Sequence, residues 1–294
     1  MESGIHQWIH ANSRTMTDPA GRQAQIIEDH SALEMARQCG LGLYEVYQEA
    51  LKLGVYPCRY IRNLNIISAA EQLTLAQSQV AVIGAGGLGG HVIILLARIG
   101  VGRLIVADAD RFDETNLNRQ ILCNQDTLGR SKSRTAADAV ASVNPGVKVE
   151  PHMLRISDAN IDAILAGADV VVDALDNIPD RQMLQEASRR LGIPLVHGAI
   201  AGFEGRILSI YPGDTGMRTL YGIEETRPPD TDRPEALLGV PAVTASLIGT
   251  FQAMEVIKIL LHRGKIWRNI MAYIDLENGS FDEFRLDGSA NGVK

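Results

Sequence analysis

The stretch Val80–Gly90, reading Val-Ala-Val-Ile-Gly-Ala-Gly-Gly-Leu-Gly-Gly, constrains this chain more than any other. A short apolar run of β type ends in a glycine-rich turn, and an apolar helical run from His91 to Ile99 follows at once. Strand, turn and helix in immediate succession are the context that a phosphate-binding turn needs. Gly84 would make the tight turn, Gly86 would let the backbone approach a phosphate, and Gly89 would let the helix lie close on the strand. The unsatisfied N–H groups at the start of the helix, with the helix dipole behind them, attract an anion. Gly84, Ala85, Gly86, Gly87, Leu88 and Gly89 are therefore candidate nucleotide contacts.

From Val80 onward, strand-like and helical runs alternate. Strands are expected at Val80–Ile83, Arg103–Ala107, Val147–Pro151, Asp169–Asp173 and Pro194–Gly198, with helices of ordinary length between them. This alternation predicts a parallel sheet wound on both faces, with ligands bound beyond the carboxyl ends of the strands. The later chain reads differently. A strand is expected at Gly205–Tyr211, a proline- and charge-rich loop at Tyr221–Leu238, an apolar helix at Val243–Leu261 and a terminal hairpin at Met271–Leu286. Before the sheet, residues 1–17 read as frayed. Asp18-Pro19 reads as the start of a helix running to about Gln38, and Leu43–Leu53 reads as a second helix. Residues 1–56 are thus expected to form a helical extension. Ser68 and Glu71 are spaced as a capping box for one more helix before Val80.

Asp108 ends the second strand, nineteen residues beyond Gly89, where a carboxylate can accept hydrogen bonds from ribose hydroxyls. The glycine turn and this Asp suit NAD, FAD, S-adenosylmethionine or ATP equally, and a dehydrogenase is one reading. The next residues shift the balance. Asp110 is followed by Asn116-Leu-Asn-Arg119-Gln120 and, after Gly129-Arg-Ser, by Lys132. A compact ammonium and a planar guanidinium close behind a nucleotide turn suit a triphosphate better than a nicotinamide ring. The bland alternative is a pair of surface cations on a helical loop. Asp176 and Asn177, at the end of a later strand, face the same edge. Asp176 could hold Mg²⁺ through one or two oxygens, although either residue could equally cap the helix that follows.

Taken together, Gly84-x-Gly-Gly-x-Gly, Asp108-x-Asp110, Asn116-Leu-Asn-Arg119-Gln120, Lys132 and Asp173-x-x-Asp176-Asn177 resemble, in order and approximate spacing, the ThiF/MoeB/HesA family, bacterial relatives of ubiquitin-activating E1 enzymes. The resemblance covers about residues 57–286. It extends to Arg59-Tyr-Ile-Arg62, Pro194-Leu-Val-His-Gly198 and Gly239-Val-Pro-Ala-Val243. It implies a Rossmann-like, doubly wound, mostly parallel α/β sheet with a C-terminal antiparallel extension, occupying residues 57–294 behind the N-terminal extension. It also implies an ATP- and Mg²⁺-dependent adenylyltransferase that acts on the C-terminal carboxylate of a small ubiquitin-like sulfur-carrier protein or a peptide. On that reading the turn, Asn116, Arg119 and Lys132 bind phosphates, with Gln120 beside them, Asp108 binds the ribose and Asp176 the metal. Arg62 matches an arginine that reaches the phosphates from the partner subunit, so a homodimer is implied.

Departures and composition set limits. Many members of the family carry two C-x-x-C pairs for zinc. Here the cysteines are Cys39, Cys58 and Cys123, none pairs as C-x-x-C, and none follows residue 123, so no zinc is expected. The Tyr221–Leu238 loop also lacks the catalytic cysteine that some members place there, so transfer through a thioester on this chain is not expected. Cys123 reads as a buried thiol. A net charge of −7 gives no global attraction to nucleic acid or to an anionic membrane. No apolar run is expected to span a membrane, and a reducing cytoplasm is the expected setting. A tRNA-modifying dehydratase of the same superfamily and a non-catalytic partner subunit are the alternatives.

Overall fold

A computed structural model describes residues 2–18, 20–214, 216–222 and 234–286. The first unit of the chain comprises α1 (Glu2–Asn12), β1 (Arg14–Thr17), β2 (Gln23–Ile27), α2 (Asp29–Cys39), α3 (Leu43–Lys52) and β3 (Tyr56–Pro57). The purely helical extension expected from sequence is thereby corrected to an α/β unit with a three-stranded sheet in the order β1-β2-β3. Residues 2–12 are helical rather than frayed because Ile9, fully buried, packs with Ile5 and Trp8 on a core that includes Met35, Val46 and Tyr47. Asp18 does not cap a helix. Its carboxylate accepts the N–H groups of Ala20 and Arg22, both at 2.8 Å, and closes the β1–β2 turn. An Asx turn competes with helix capping for the same side chain, and here it wins. Pro19 lies outside the described residues. The unit is tied to the rest by Arg59, which pairs with Asp29 and donates to the Val143 carbonyl at 2.8 Å.

The second unit continues with α4 (Ala69–Gln77), β4 (Gln79–Ile83), α5 (Gly87–Ile99), β5 (Arg103–Ala107), α6 (Lys132–Val143), β6 (Lys148–His152), α7 (Ile161–Leu165), β7 (Val170–Asp173), α8 (Ile178–Leu191) and β8 (Leu195–Ala201). It closes with β9 (Glu204–Ile210), α9 (Met217–Tyr221), α10 (Pro234–Leu238), α11 (Ala242–Leu260), β10 (Ile270–Asp275) and β11 (Ser280–Arg285). The Ser68–Glu71 capping box forms as expected. The loop expected at Tyr221–Leu238 contains the helix α10, and residues 223–233 lie outside the described residues.

One eight-stranded sheet runs β11-β10-β9-β8-β7-β4-β5-β6. The five strands β6, β5, β4, β7 and β8 are parallel and the last three are antiparallel, which is the doubly wound sheet and C-terminal extension expected from sequence. Alternate residues of each central strand serve opposite faces. Val80, Val82, Leu104 and Val106 pack under α5, α6 and α11, while Ala81, Ile83, Ile105 and Ala107 pack under α7 and α8. Among the described residues, α11 is the one helix long and apolar enough to cross a membrane, contrary to the sequence expectation. Here it serves as a core helix: Ile248, Gln252, Glu255 and Val256 are fully buried.

The strand order reverses at β4: the chain goes from β4 to β5 on one side and returns to β7 on the other. A crevice opens at such a switch point because the loops that follow the two strands diverge.

Candidate functional site

The register sets three strand ends level. Ala107 pairs with Ile83, and Ile83 with Asp173. Gly84 N–H then donates to the Ala107 carbonyl at 2.9 Å, and Ala174 N–H to the Ile83 carbonyl at 3.0 Å. Asp108, Gly84 and Ala174 therefore follow their strands side by side, on the edge of a cleft of about 390 Å³.

Most of the sequence-assigned residues line this cleft: Gly84, Gly86, Gly87, Leu88, Asp108, Asp110, Arg119, Gln120, Lys132, Asp176 and Asn177. The glycines divide by physical role. Gly84 has φ +98°, and a Cβ there would stand 2.5 Å from the Ala174 carbonyl oxygen. A Cβ on Gly89 would collide with the Gly84 carbonyl oxygen, so helix and turn touch only because that residue has no side chain. Gly86 is different. A Cβ there would meet nothing closer than the Gln120 amide at 3.5 Å, an ordinary contact. Its bareness is not needed by the chain's own packing and leaves room for a ligand. Among the described residues no side chain caps the first turn of α5, which leaves its N–H groups available at the cleft.

Asp108 is anchored by two backbone donors, Ala85 N–H to Oδ2 at 2.7 Å and Asp110 N–H to Oδ1 at 2.8 Å. Burial pushes its carboxyl up, against the pull of those donors and of Lys132. Ala85 itself is fully buried and takes part only through this N–H. Lys132, only 7% exposed at the start of α6, places Nζ 3.0 Å from the Asp110 carboxylate. Arg119 rests its guanidinium on the Thr115 carbonyl and Asn118 Oδ1, each at 2.9 Å. Gln120 is 6% exposed, and its Oε1 has no hydrogen-bond partner among the described residues. A buried acceptor beside the Gly86 turn is left for a ligand to satisfy.

Ala85 and Gly89 belong to the turn without lining the cleft, and two further assigned residues fall elsewhere. Asn116 is buried within its own turn, where its amide bonds Asp113 and Thr115, and it does not line the cleft. Arg62 is exposed and also absent from the cleft walls of its own chain. Cys123 is buried, with its thiol 3.7 Å from the Asp113 carbonyl. Burial holds that thiol above its ordinary range, the opposite of what a nucleophile needs.

At the β7 end, Asn177 caps α8 by accepting the Asp180 N–H at 3.0 Å, and its Nδ2 lies 3.3 Å from Asp176 Oδ1. The capping alternative therefore holds for Asn177, while Asp176 presents an exposed carboxylate at the rim. Among the described residues no group of three or more His, Cys, Asp or Glu could cage a metal. Mg²⁺ held by one carboxylate, phosphate oxygens and water needs no such cage. The residues thus fit a magnesium–nucleotide better than a free ion.

Sequence reasoning missed two cleft cations. Arg155, after β6, pairs with Asp180 at 2.8 Å, and Arg181 on α8 donates to the Leu175 carbonyl from Nε at 3.1 Å and Nη2 at 2.6 Å. Burial alone would lower the Arg181 pKa, but Asp173, Tyr221, Glu235 and Asp176 around it raise it. Nothing local distinguishes Arg181 from a solvated helix residue. Its inward aim is a property of how α8 lies on the sheet.

The ThiF family model matches residues 59–292. The chain is similar to the SAMP-activating enzyme E1 of Haloferax volcanii, with 39% identity over 76% of this chain and 83% of that relative. It is similar also to a sulfur carrier protein adenylyltransferase of Thermus thermophilus, with 34% identity over 76% of this chain and 84% of the relative. Among solved structures, E. coli MccB with ATP superposes with a TM-score of 0.65 at 22% identity, over 78% of this chain and 70% of the other, which shows a shared fold.

Proposed function

This chain belongs to the ThiF family, and from that premise we propose that it is an ATP- and Mg²⁺-dependent adenylyltransferase. It activates the C-terminal glycine carboxylate of a small ubiquitin-like sulfur-carrier protein, or of a peptide, as an acyl-adenylate. One observation carries this reading: the glycine turn, Asp108, Arg119, Lys132 and Asp176, dispersed over the 93 residues from Gly84 to Asp176, meet on one cleft. The names of the Haloferax and Thermus relatives support the carrier as partner.

In the reaction, a carboxylate oxygen of the acyl substrate attacks the α-phosphorus. The bond from that phosphorus to the bridging oxygen breaks, and pyrophosphate leaves with the electron pair. No proton moves and no protein nucleophile is required, so catalysis rests on positioning and on fixed charge. The free N–H groups of α5 hold phosphate, and Asp108 accepts from the ribose. Lys132 and Arg119 exchange Asp110 and the Thr115 carbonyl for phosphate oxygens, at little cost because both already stand at the cleft. Asp176 holds Mg²⁺, which when bound neutralises and orients the phosphates. Arg62, exposed and outside its own cleft, is assigned to the cleft of a second copy in a homodimer.

ATP–pyrophosphate exchange with Gly-Gly-ended carriers tests the proposal. Exchange should require carrier, Mg²⁺, Arg119 and Asp176, and tight NADH binding without ATP binding would overturn it. Mixing Arg62→Ala with Asp176→Ala protein should restore part of the activity if Arg62 acts across a dimer, and none if it acts within one chain.

A further inference from the structure

Beneath the Asp176 loop lies a group of buried side chains that the adenylation chemistry does not use. Asp173, at the end of β7, and His197, on β8, are both fully buried, and their Oδ2 and Nδ1 stand 2.6 Å apart. Nε2 of His197 is 2.9 Å from Tyr221 Oη at the end of α9. Tyr221 Oη also lies 3.4 Å from Arg181 Nη1. Arg181 in turn grips the Leu175 carbonyl, and Leu175 N–H donates to Asp173 Oδ1 at 3.0 Å.

The donor directions follow from the partners. A carboxylate only accepts, so Nδ1 of His197 carries the proton and Nε2 must accept, which leaves the Tyr221 hydroxyl to donate. Tyr221 oxygen then accepts from Arg181. Donation runs from Arg181 through Tyr221 and His197 to Asp173, and along a second arm from Arg181 to the Leu175 carbonyl and from the Leu175 N–H to Asp173. Both arms begin on Arg181 donors and end on the Asp173 carboxylate, with Tyr221 Oη accepting once and donating once, and the circuit closes. Charge closes with it: the Asp173 carboxylate is 3.8 Å from the Arg181 guanidinium, and His197 is held neutral by burial. Gln252 adds a fifth element by donating from α11 to the Asp173 carbonyl at 2.7 Å.

Side chains of four elements, β7, β8, α8 and α9, are thus linked to the peptide groups of Leu175, the residue before Asp176. We propose that His197 and Tyr221 are positioning residues for Asp176. Through this circuit they hold the Ala174–Asn177 loop so that its carboxylate faces a nucleotide-bound Mg²⁺. The proposal rests on the adenylation reading for its ligand, although its geometry stands apart from the identity of the acyl substrate. Neither residue touches the reacting atoms. Their effect passes through the Leu175 backbone, in the way that outer partners of a metal ligand fix its orientation.

The experiment measures Mn²⁺ binding by electron paramagnetic resonance in the presence of α,β-methylene ATP, which cannot be cleaved where adenylation cleaves. Wild type, Asp176→Ala, Tyr221→Phe and His197→Asn proteins are compared, with a thermal melt of each. Tyr221→Phe removes one oxygen and leaves the ring, so it decides the matter if His197→Asn unfolds. The proposal expects Asp176-dependent Mn²⁺ binding in wild type, weakened about tenfold or more in Tyr221→Phe, with metal-free nucleotide affinity unchanged and a single cooperative melt retained. Equal Mn²⁺ affinity in Tyr221→Phe and wild type, or wild-type binding that does not depend on Asp176, overturns it. Exchange assays on the wild type separately decide the adenylation reading: absence of exchange with intact metal–nucleotide binding would sink that reading and leave this one standing.

Discussion

Two adjacent strand ends build opposite walls of the cleft, and they are held by different means. The β4 end is a turn whose shape is written into its own glycines: φ +98° at Gly84, and no space for any side chain at Gly89. The β7 end carries Asp176 beside a polar network in which Arg181, on the helix that follows, meets His197 and Tyr221, side chains far away in sequence that join it only when the sheet and its helices assemble. The first wall is steric and local, the second polar and long-range. A local backbone device should tolerate distant mutation and fail abruptly at its own residues. A polar circuit should weaken when any distant member is changed.

The largest expected effect reads the two walls together. Asp176→Ala and Arg119→Ala should each lower pyrophosphate exchange by a hundred- to a thousand-fold, on the order seen when one transition-state stabiliser is removed, with carrier binding retained. Full activity in Asp176→Ala would break the assignment of the β7 wall.

Next come the glycines. Gly89→Ala should destabilise the chain by about 1–3 kcal/mol, because helix and turn must part, and nucleotide binding should be lost with it. Gly86→Ala should leave the melting temperature unchanged and weaken ATP binding alone. If both variants destabilise equally, the distinction between packing glycine and ligand glycine fails. Denaturant melts beside ATP titrations measure both.

The smallest effect concerns acidity. Burial keeps His197 below its usual 6.5 in the folded chain, with Arg181 and Arg206 opposing its protonation and Asp173 favouring it. The unfolded chain takes up a proton as pH falls through about 6.5 while the folded chain does not. Stability is therefore lost on acidification in that window, and His91, lowered by its own burial, adds to the slope. Replacing His197 by Gln should flatten the dependence of melting temperature on pH between about 7.5 and 5.5, and an unchanged slope would show that His197 titrates alike in the folded and unfolded chains.

What was legible in advance follows the same division. The turn, the parallel order of strands and the Ser68 cap could be read because each depends on residues within a few positions of one another or on strand periodicity, and Asp108 and Lys132 do line the cleft. The first unit was misread where two local rules competed. Ile26 and Ile27 suit a strand as well as a helix, and Asp18 suits a turn as well as a cap. The family resemblance assigns Asn116 to the phosphates, whereas its amide hydrogen-bonds within the Asp113 turn.

By itself, the sequence determined where a phosphate can approach the backbone, because that depends on missing Cβ atoms at fixed spacing. It also determined which elements alternate, because burial on both faces of a parallel strand demands unbroken apolar runs. Only the tertiary structure decided that Arg181 and Arg155 face the cleft, that Gln120 keeps an acceptor there unanswered among the described residues, and that His197 stands under Asp176. Side-chain hydrogen bonds between distant elements leave no period in the sequence. They exist because the packed sheet holds their donors and acceptors within 3 Å or so of each other, where water is excluded and each must find a partner.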